Sequence, residues 1–156
     1  MMVQIFILDQ LSIAMWLRPM IFPLVVLLLP MEWRMIWVIL ITLGVGIVMD
    51  ALLGGSGLYT ATLLPLAVLR PSVLYVTTKR SVEPGDQSPL LSRLGLSHTM
   101  LFMAVMLLLH HLMFFSLEAL SLANIMQLAL TILLSTMLSV VLAWPIVRIY
   151  NSKVVA

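Results

Sequence analysis

Long runs of apolar residues, separated by short polar stretches, are the main pattern along this chain. A helix that crosses a bilayer needs about 20 largely apolar residues. Lipid cannot satisfy backbone hydrogen-bonding groups, so a spanning chain forms helices or a closed barrel, and runs without alternation exclude the barrel. The pattern therefore predicts four membrane-spanning helices, at residues 37–53, 58–76, 100–117 and 122–149.

The first thirty residues have a weaker pattern. Residues 1–17 include several polar side chains, and the apolar run at 20–30 is short. We expect these segments to be two short or tilted spans, or a re-entrant pair, and either arrangement returns the chain to the side it left. The sequence thus predicts an all-α fold, a polytopic transmembrane helix bundle of about six segments in one domain, residues 1–156.

Composition supports the same fold class. Hydrophobic residues make up 63% of the chain and charged residues 9%, whereas about a quarter of the residues of a soluble domain are charged. A net charge of +2 does not indicate a nucleic-acid partner. The absence of cysteine excludes disulfides, thiolate catalysis and cysteine-based metal sites. We predict no cofactor and no nucleic-acid binding.

Basic residues are distributed unevenly across the predicted topology. One side has only Arg18. The other side has six basic residues: Arg34, Lys79, Arg80, Arg93, Arg148 and Lys153. Lys and Arg are enriched in the cytoplasmic loops of membrane proteins. The distribution therefore predicts that both termini and the loop at 77–97 are cytoplasmic.

Asp50 and Arg70 are ionisable groups within predicted spans, where a charge costs about 2.5–3.5 kcal/mol. Asp50 precedes a glycine-rich turn at 54–57, so we expect it to reach interfacial water. Arg70 lies about 18 Å deeper than Leu58 on the returning helix, too far for an easy ion pair with Asp50. We expect Arg70 either to extend toward the cytoplasmic headgroups or to make a buried contact, with Pro71 bending the helix beside it.

His110, His111 and Glu118 are the ionisable residues of the span at 100–117 and its end. His111 and Glu118 share a helix face but lie about 10 Å apart along the axis. His110 points about 100° away from His111, so the pair cannot chelate one ion from a single helix. We predict no metal site and no catalytic residue, and we favour hydrogen bonds between helices over a proton relay.

The last span has a polar stripe within about 120° of the helical wheel, formed by Asn124, Gln127, Thr131, Ser135 and Ser139. In lipid, small polar residues at this spacing allow two helices to approach closely and to form hydrogen bonds. We expect the stripe to face protein. Its partner is either within the chain, for example the small face of Thr42, Gly46 and Asp50, or a separate helix.

In this order, the motifs resemble the MreD family of integral membrane proteins from the bacterial rod-shape system. The matching positions span about residues 23–120 and are Leu29-Pro30, Asp50, Gly57-Leu58-Tyr59 with Ala61, Arg70-Pro71, His110-His111 and Leu117-Glu118. The resemblance implies a non-enzymatic scaffold of the bacterial cytoplasmic (inner) membrane. The implied architecture is similar to that of the substrate-binding subunits of energy-coupling-factor vitamin transporters.

The resemblance also implies partners. It implies binding to the single-span protein MreC, and through it an indirect link between MreB filaments and the elongation peptidoglycan synthases, RodA and its transpeptidase. An alternative is a small-molecule binding or transport subunit, which a polar pocket near Asp50, Tyr59, His111 and Glu118 would favour. A third hypothesis is an intramembrane enzyme that uses His111 and Glu118.

Overall fold

The computed structural model describes residues 20–30, 33–54, 57–79, 90–119 and 125–154, except for the side chains of 90–94, 96 and 150–154. The described part is all-α, as predicted. Its five helices are α1 (Leu24–Leu28), α2 (Met35–Leu53), α3 (Leu58–Thr78), α4 (Leu90–Ala119) and α5 (Ile125–Val154).

Four helices are long and apolar enough to cross a membrane: Met35–Leu53, Leu58–Thr78, Ser97–Ala119 and Ile125–Ile149. They correspond to the four spans that the apolar runs predict. The predicted segment 20–30 contains only α1, whose five residues extend about 7.5 Å and cannot cross a bilayer. The predicted segment 1–17 lies outside the described residues. The structure therefore shows four candidate spans.

The helices extend into the segment 77–97, which we expected to be a loop. α3 ends at Thr78, and the hydroxyl groups of Thr77 and Thr78 bond to carbonyls one turn back in the helix. α4 begins at Leu90 and is interrupted at Gly95, where φ is 71° and ψ is 172°. Glycine tolerates this conformation, so a short helical piece precedes the span that starts at Ser97.

A glycine turn joins α2 to α3. Gly54 has a φ of 69° and its N–H donates to the backbone carbonyl of Asp50, while Gly57 has a φ of 94° just before α3. Positive φ angles favour glycine over residues with a Cβ atom, and a left-handed glycine is a common end of a helix. The turn makes α2 and α3 an antiparallel pair.

The spans pack in chain order, with α3 between α2 and α4, and α4 between α3 and α5. α1 packs against α2, α3 and α4. α4 is the most buried of the four spans, and α2 and α5 are the least buried. The two end helices therefore present the largest exposed apolar faces, which include Leu40 and Ile47 of α2 and Leu133 and Met137 of α5.

The small face of α2 packs against α3 and not against α5, which we had considered as its partner. A Cβ atom added at Gly46 would lie 2.8 Å from the Cα of Thr60 in α3. Asp50 contacts the same threonine through a hydrogen bond. The α2–α3 turn is too short to separate these helices, so the glycine face meets its neighbour in the chain.

Apart from Arg70, which is buried within α3, the charged side chains that the structure describes are segregated between the two ends of the bundle. Arg34, Lys79 and Arg148 are exposed at one end of the spans, and Glu118 and half-buried Asp50 lie at the other. This segregation matches the uneven distribution of basic residues in the sequence.

Candidate functional site

Asp50 binds the start of α3. One carboxylate oxygen accepts the Tyr59 N–H at 2.9 Å, and the other accepts the Thr60 N–H at 3.0 Å and the Thr60 hydroxyl at 2.6 Å. The first N–H groups of a helix lack intrahelical partners, and a carboxylate satisfies them. We expected Asp50 to reach interfacial water; instead both of its oxygens are held by the next helix.

Arg70 binds the end of α1 and the residue that follows it. Its side chain is 3% exposed, and one Nη group donates to the carbonyls of Leu27, at 3.1 Å, and of Leu29. The last carbonyls of a helix lack partners and carry partial negative charge, which favours a cation. The buried contact is therefore the correct alternative for Arg70, and extension to the headgroups is wrong. α3 continues without interruption through Pro71, which is exposed.

Residues 20–30 lie against the interior of the bundle. Met20, Phe22 and Val26 are buried. The Met20 N–H donates to the hydroxyl of Ser139 at 3.0 Å, near the middle of the α5 span. Non-helical backbone at membrane depth requires protein or water partners, and Ser139 and Arg70 provide them at the two ends of this segment.

Ser139 also connects this segment to His111. The Ser139 hydroxyl lies 3.4 Å from His111 Nε2, and His111 Nδ1 lies 2.7 Å from the Leu107 carbonyl oxygen. A carbonyl only accepts, so Nδ1 carries the proton and Nε2 accepts the hydroxyl hydrogen of Ser139. The resulting chain of hydrogen bonds runs from Met20 through Ser139 and His111 and ties together the first described segment, α5 and α4.

His110 packs as an aromatic ring. It is fully buried, and neither of its ring nitrogens has a hydrogen-bond partner among the described residues. Its ring lies edge-on to Phe22, with centroids 5.1 Å apart, and Phe22 is edge-on to Tyr59 at 5.4 Å. Phe114 contacts both Tyr59 and His110. This cluster joins the first described segment to α3 and α4 in the half of the bundle that contains Asp50.

Only part of the predicted polar stripe of α5 faces protein. Ser135 and Ser139 are buried, Thr131 is half-buried and Gln127 is exposed, while Asn124 lies outside the described residues. The buried part of the stripe contacts α4 through Ser139 and His111. The stripe becomes more exposed toward the start of α5.

The structure separates several residues that the sequence places on one face or in one pocket. Glu118 is exposed whereas His111 is fully buried, so these two residues do not form one site. The partners of Asp50 are in α3 and those of His111 are in α4 and α5. Within the described ranges, no three His, Asp or Glu residues are close enough to hold a metal ion.

The contact between Ser139 and His111 pairs a hydroxyl with an imidazole, as hydrolases do, but its surroundings are those of a structural contact. Both side chains are fully buried. The Ser139 oxygen already accepts the Met20 N–H, and His111 is oriented by a backbone carbonyl where hydrolases commonly use a carboxylate. A nucleophile needs access to a substrate, and this serine is enclosed by protein.

Two partners were missed from the sequence. Thr60 provides two hydrogen bonds to Asp50, from its N–H and from its hydroxyl, and Phe22 lies at the centre of the aromatic cluster. An acid at the end of one helix, a glycine turn and then a threonine at the start of the next helix is a signal for capping across the turn. Phe22 had no comparable signal, because its contacts come from distant parts of the chain.

Compared with models of known protein families, with curated proteins and with solved structures, the chain gives no match.

Proposed function

We propose that this chain is a non-enzymatic membrane scaffold of the bacterial cell-elongation (rod-shape) complex. In this role its helices bind an MreC-like single-span protein and help to couple MreB filaments to the peptidoglycan synthases, RodA and its transpeptidase. The observation that carries the proposal is that four polar side chains of the bundle form hydrogen bonds to other segments of the same chain. Asp50, Arg70, His111 and Ser139 hold one segment to another, and the apolar faces of the end helices are left for a partner.

The motif positions that resemble the MreD family agree with such a role. Asp50 and Tyr59 connect α2 to α3, Arg70 holds the residues around Leu29, and His111 connects α4 to α5. A signature made of contacts between helices suits a protein whose task is to present a fixed helix surface. In lipid, helix association depends on close packing and on hydrogen bonds, both of which require a defined surface.

The surfaces that suit a single-span partner are the exposed faces of α2 and α5. Leu40 and Ile47 represent the first face and Leu133 and Met137 the second. A partner helix covers one such face without disturbing the internal contacts. By contrast, α4 is the most buried of the four spans and offers less surface.

Co-purification tests the proposal. The chain is co-expressed with an MreC-like protein and purified in detergent, with two face variants, Leu40→Ser with Ile47→Ser and Leu133→Ser with Met137→Ser. We expect the partner to co-purify with the parent chain and to be lost from one of the two variants. The same variants without partner should retain membrane yield and thermal stability, since the four positions are exposed. Failure to recover any complex with the parent chain would contradict the proposal.

A small-molecule binding or transport subunit is the second candidate, and His110 is the observation that favours it. A buried imidazole without a hydrogen-bond partner is suited to a ligand that replaces Phe22 beside it. On this hypothesis, a vitamin-like compound should raise the thermal unfolding midpoint of the parent chain but not of a His110→Phe variant. The scaffold hypothesis predicts no such shift in either protein.

Alanine variants separate the scaffold from an intramembrane enzyme. An enzyme that uses His111 and Glu118 should lose function in His111→Ala and Glu118→Ala while keeping its yield and its complex. The scaffold hypothesis predicts that Glu118→Ala keeps normal rod shape in cells, because Glu118 is exposed at the end of α4, and that His111→Ala loses stability and function together.

A further inference from the structure

An open groove lies at the start of α2, on the basic end of the bundle. Its volume is about 460 Å³ and it is lined by Trp33, Arg34, Trp37 and Ile41. Trp33 is 44% exposed and Trp37 is 58% exposed, and Arg34 is also exposed. A volume of this order is typical of a site for a small ligand, so the groove fits part of a lipid molecule.

The groove lies at the level of a membrane–water interface. Arg34 immediately precedes α2, and α2 is a candidate span from Met35 onward. Tryptophan side chains are enriched at this level, where one part of the ring is in an apolar environment and the N–H is near water. Ile41 extends the groove toward the apolar part of the bilayer. The lining therefore changes from charged at the level of a lipid headgroup to apolar at the level of the acyl chains.

The charge of Arg34, the charged side chain in the lining of the groove, selects the headgroup. Lys79 and Arg148 are exposed at the same end of the spans as Arg34 but are not part of the groove lining. Both described acids, Asp50 and Glu118, belong to the other end. The acids that the sequence places nearer this end, Glu32, Glu83 and Asp86, lie outside the described residues. A guanidinium donates parallel hydrogen bonds to a phosphate. Basic pockets of membrane proteins bind anionic lipid headgroups for this reason.

We propose that the groove binds an anionic phospholipid, with its phosphate on Arg34 and its glycerol and upper acyl chains against Trp33, Trp37 and Ile41. The bound lipid fixes the start of α2 at the interface. This inference does not rest on the proposed scaffold function, because the groove residues are separate from the contacts that hold the bundle together.

Native mass spectrometry of the full chain in detergent tests this site. The probes are dioleoylphosphatidylglycerol, dioleoylphosphatidylcholine with the same acyl chains, and inorganic phosphate. The variants are Arg34→Gln and Trp37→Leu, and the matched control is Arg148→Gln, an exposed arginine at the same end of the bundle on α5. Circular dichroism and thermal unfolding without added lipid check that each variant is folded.

We expect phosphatidylglycerol to bind more tightly than phosphatidylcholine. The Arg34→Gln change should raise the Kd for phosphatidylglycerol about fivefold, the effect of one basic side chain near an anionic headgroup. Trp37→Leu should weaken both lipids, and Arg148→Gln should change neither.

Four results would overturn the proposal. Equal affinity for the two lipids would show that the charge of the headgroup does not contribute to binding. An equal loss in Arg34→Gln and Arg148→Gln would show general surface attraction without a site. Competition by inorganic phosphate at equal concentration would identify a phosphate site without lipid. A change of oligomeric state in Trp37→Leu, with lipid binding unchanged, would assign the groove to a protein contact and would likewise contradict a lipid site.

Discussion

Asp50 and Arg70 are accommodated in membrane helices by backbone groups at helix ends. Asp50 accepts from N–H groups at the start of α3, and Arg70 donates to carbonyls at and just after the end of α1. In both cases the charge meets the helix end of opposite partial charge. Each residue thereby fixes the position of another segment, and this is a structural role that can be tested residue by residue.

Replacement of Asp50 should destabilise the α2–α3 pair. We expect Asp50→Ala to lower the free energy of unfolding by about 1–2 kcal/mol, because the first N–H groups of α3 lose their acceptor. Thr60→Val should cost less, since it removes only the hydroxyl bond. Thermal unfolding in detergent measures the loss of stability in each variant. The loss in the double variant should be smaller than the sum of the two single losses, because Asp50→Ala already removes the acceptor of the Thr60 hydroxyl. Full additivity would contradict a stabilising hydrogen bond between Asp50 and the Thr60 hydroxyl.

His110 and His111 should respond in opposite ways to the same substitution. His110→Phe removes two ring nitrogens that have no partner among the described residues and keeps an aromatic ring beside Phe22, so stability should be unchanged or higher by about 1 kcal/mol. His111→Phe leaves the Ser139 hydroxyl without its acceptor and should cost about 1–3 kcal/mol. The two unfolding midpoints, measured in one detergent, give the comparison. Equal losses would contradict the different environments of the two rings.

Two glycines of α2 differ in how closely they pack against α3. Gly46 faces α3, where an added Cβ would lie 2.8 Å from the Cα and from the Oγ1 of Thr60. Gly44 has nothing within 4 Å of the same added atom. The first glycine is required for close packing of α2 on α3, and the second is free to change.

We therefore expect Gly46→Ala to lower stability by about 1–3 kcal/mol, the usual cost of overpacking. Gly44→Ala should be neutral or slightly stabilising, because alanine favours a helix more than glycine does. Thermal unfolding of the two variants measures the difference. A loss of equal size in both would mean that the contact of Gly46 with Thr60 does not determine the effect.

The long helices were predictable because length and apolarity are local properties of the sequence. The hydrogen-bond partners of the buried polar residues could not be predicted in this way. Arg70 bonds to Leu27, 43 residues earlier in the chain, and no pattern near either residue indicates the other. Periodicity also identified a polar stripe on α5, but it could not show that Gln127 is exposed while Ser139 is buried.

At the scale of the whole molecule, the distribution of charge predicts an orientation in the membrane. Glu118 marks one end and Arg148 the other, and the chain has no native cysteine, so a single introduced cysteine reports its own position. In intact cells, a membrane-impermeant maleimide should label the Glu118→Cys protein and should label the Arg148→Cys protein only after the membrane is broken. The reverse pattern would invert the predicted topology.

In the proposed scaffold, the outer surface of one end helix binds a single-span partner while the polar side chains between segments hold the bundle together. Cysteine crosslinking in membranes tests this arrangement most directly, with Leu40→Cys and Ile47→Cys on α2, Leu133→Cys and Met137→Cys on α5, and the buried Met106→Cys as control. With an MreC-like protein that carries one cysteine in its membrane helix, we predict a crosslink from one of the two exposed faces and none from Met106→Cys. The absence of a crosslink from all four exposed positions would contradict the account.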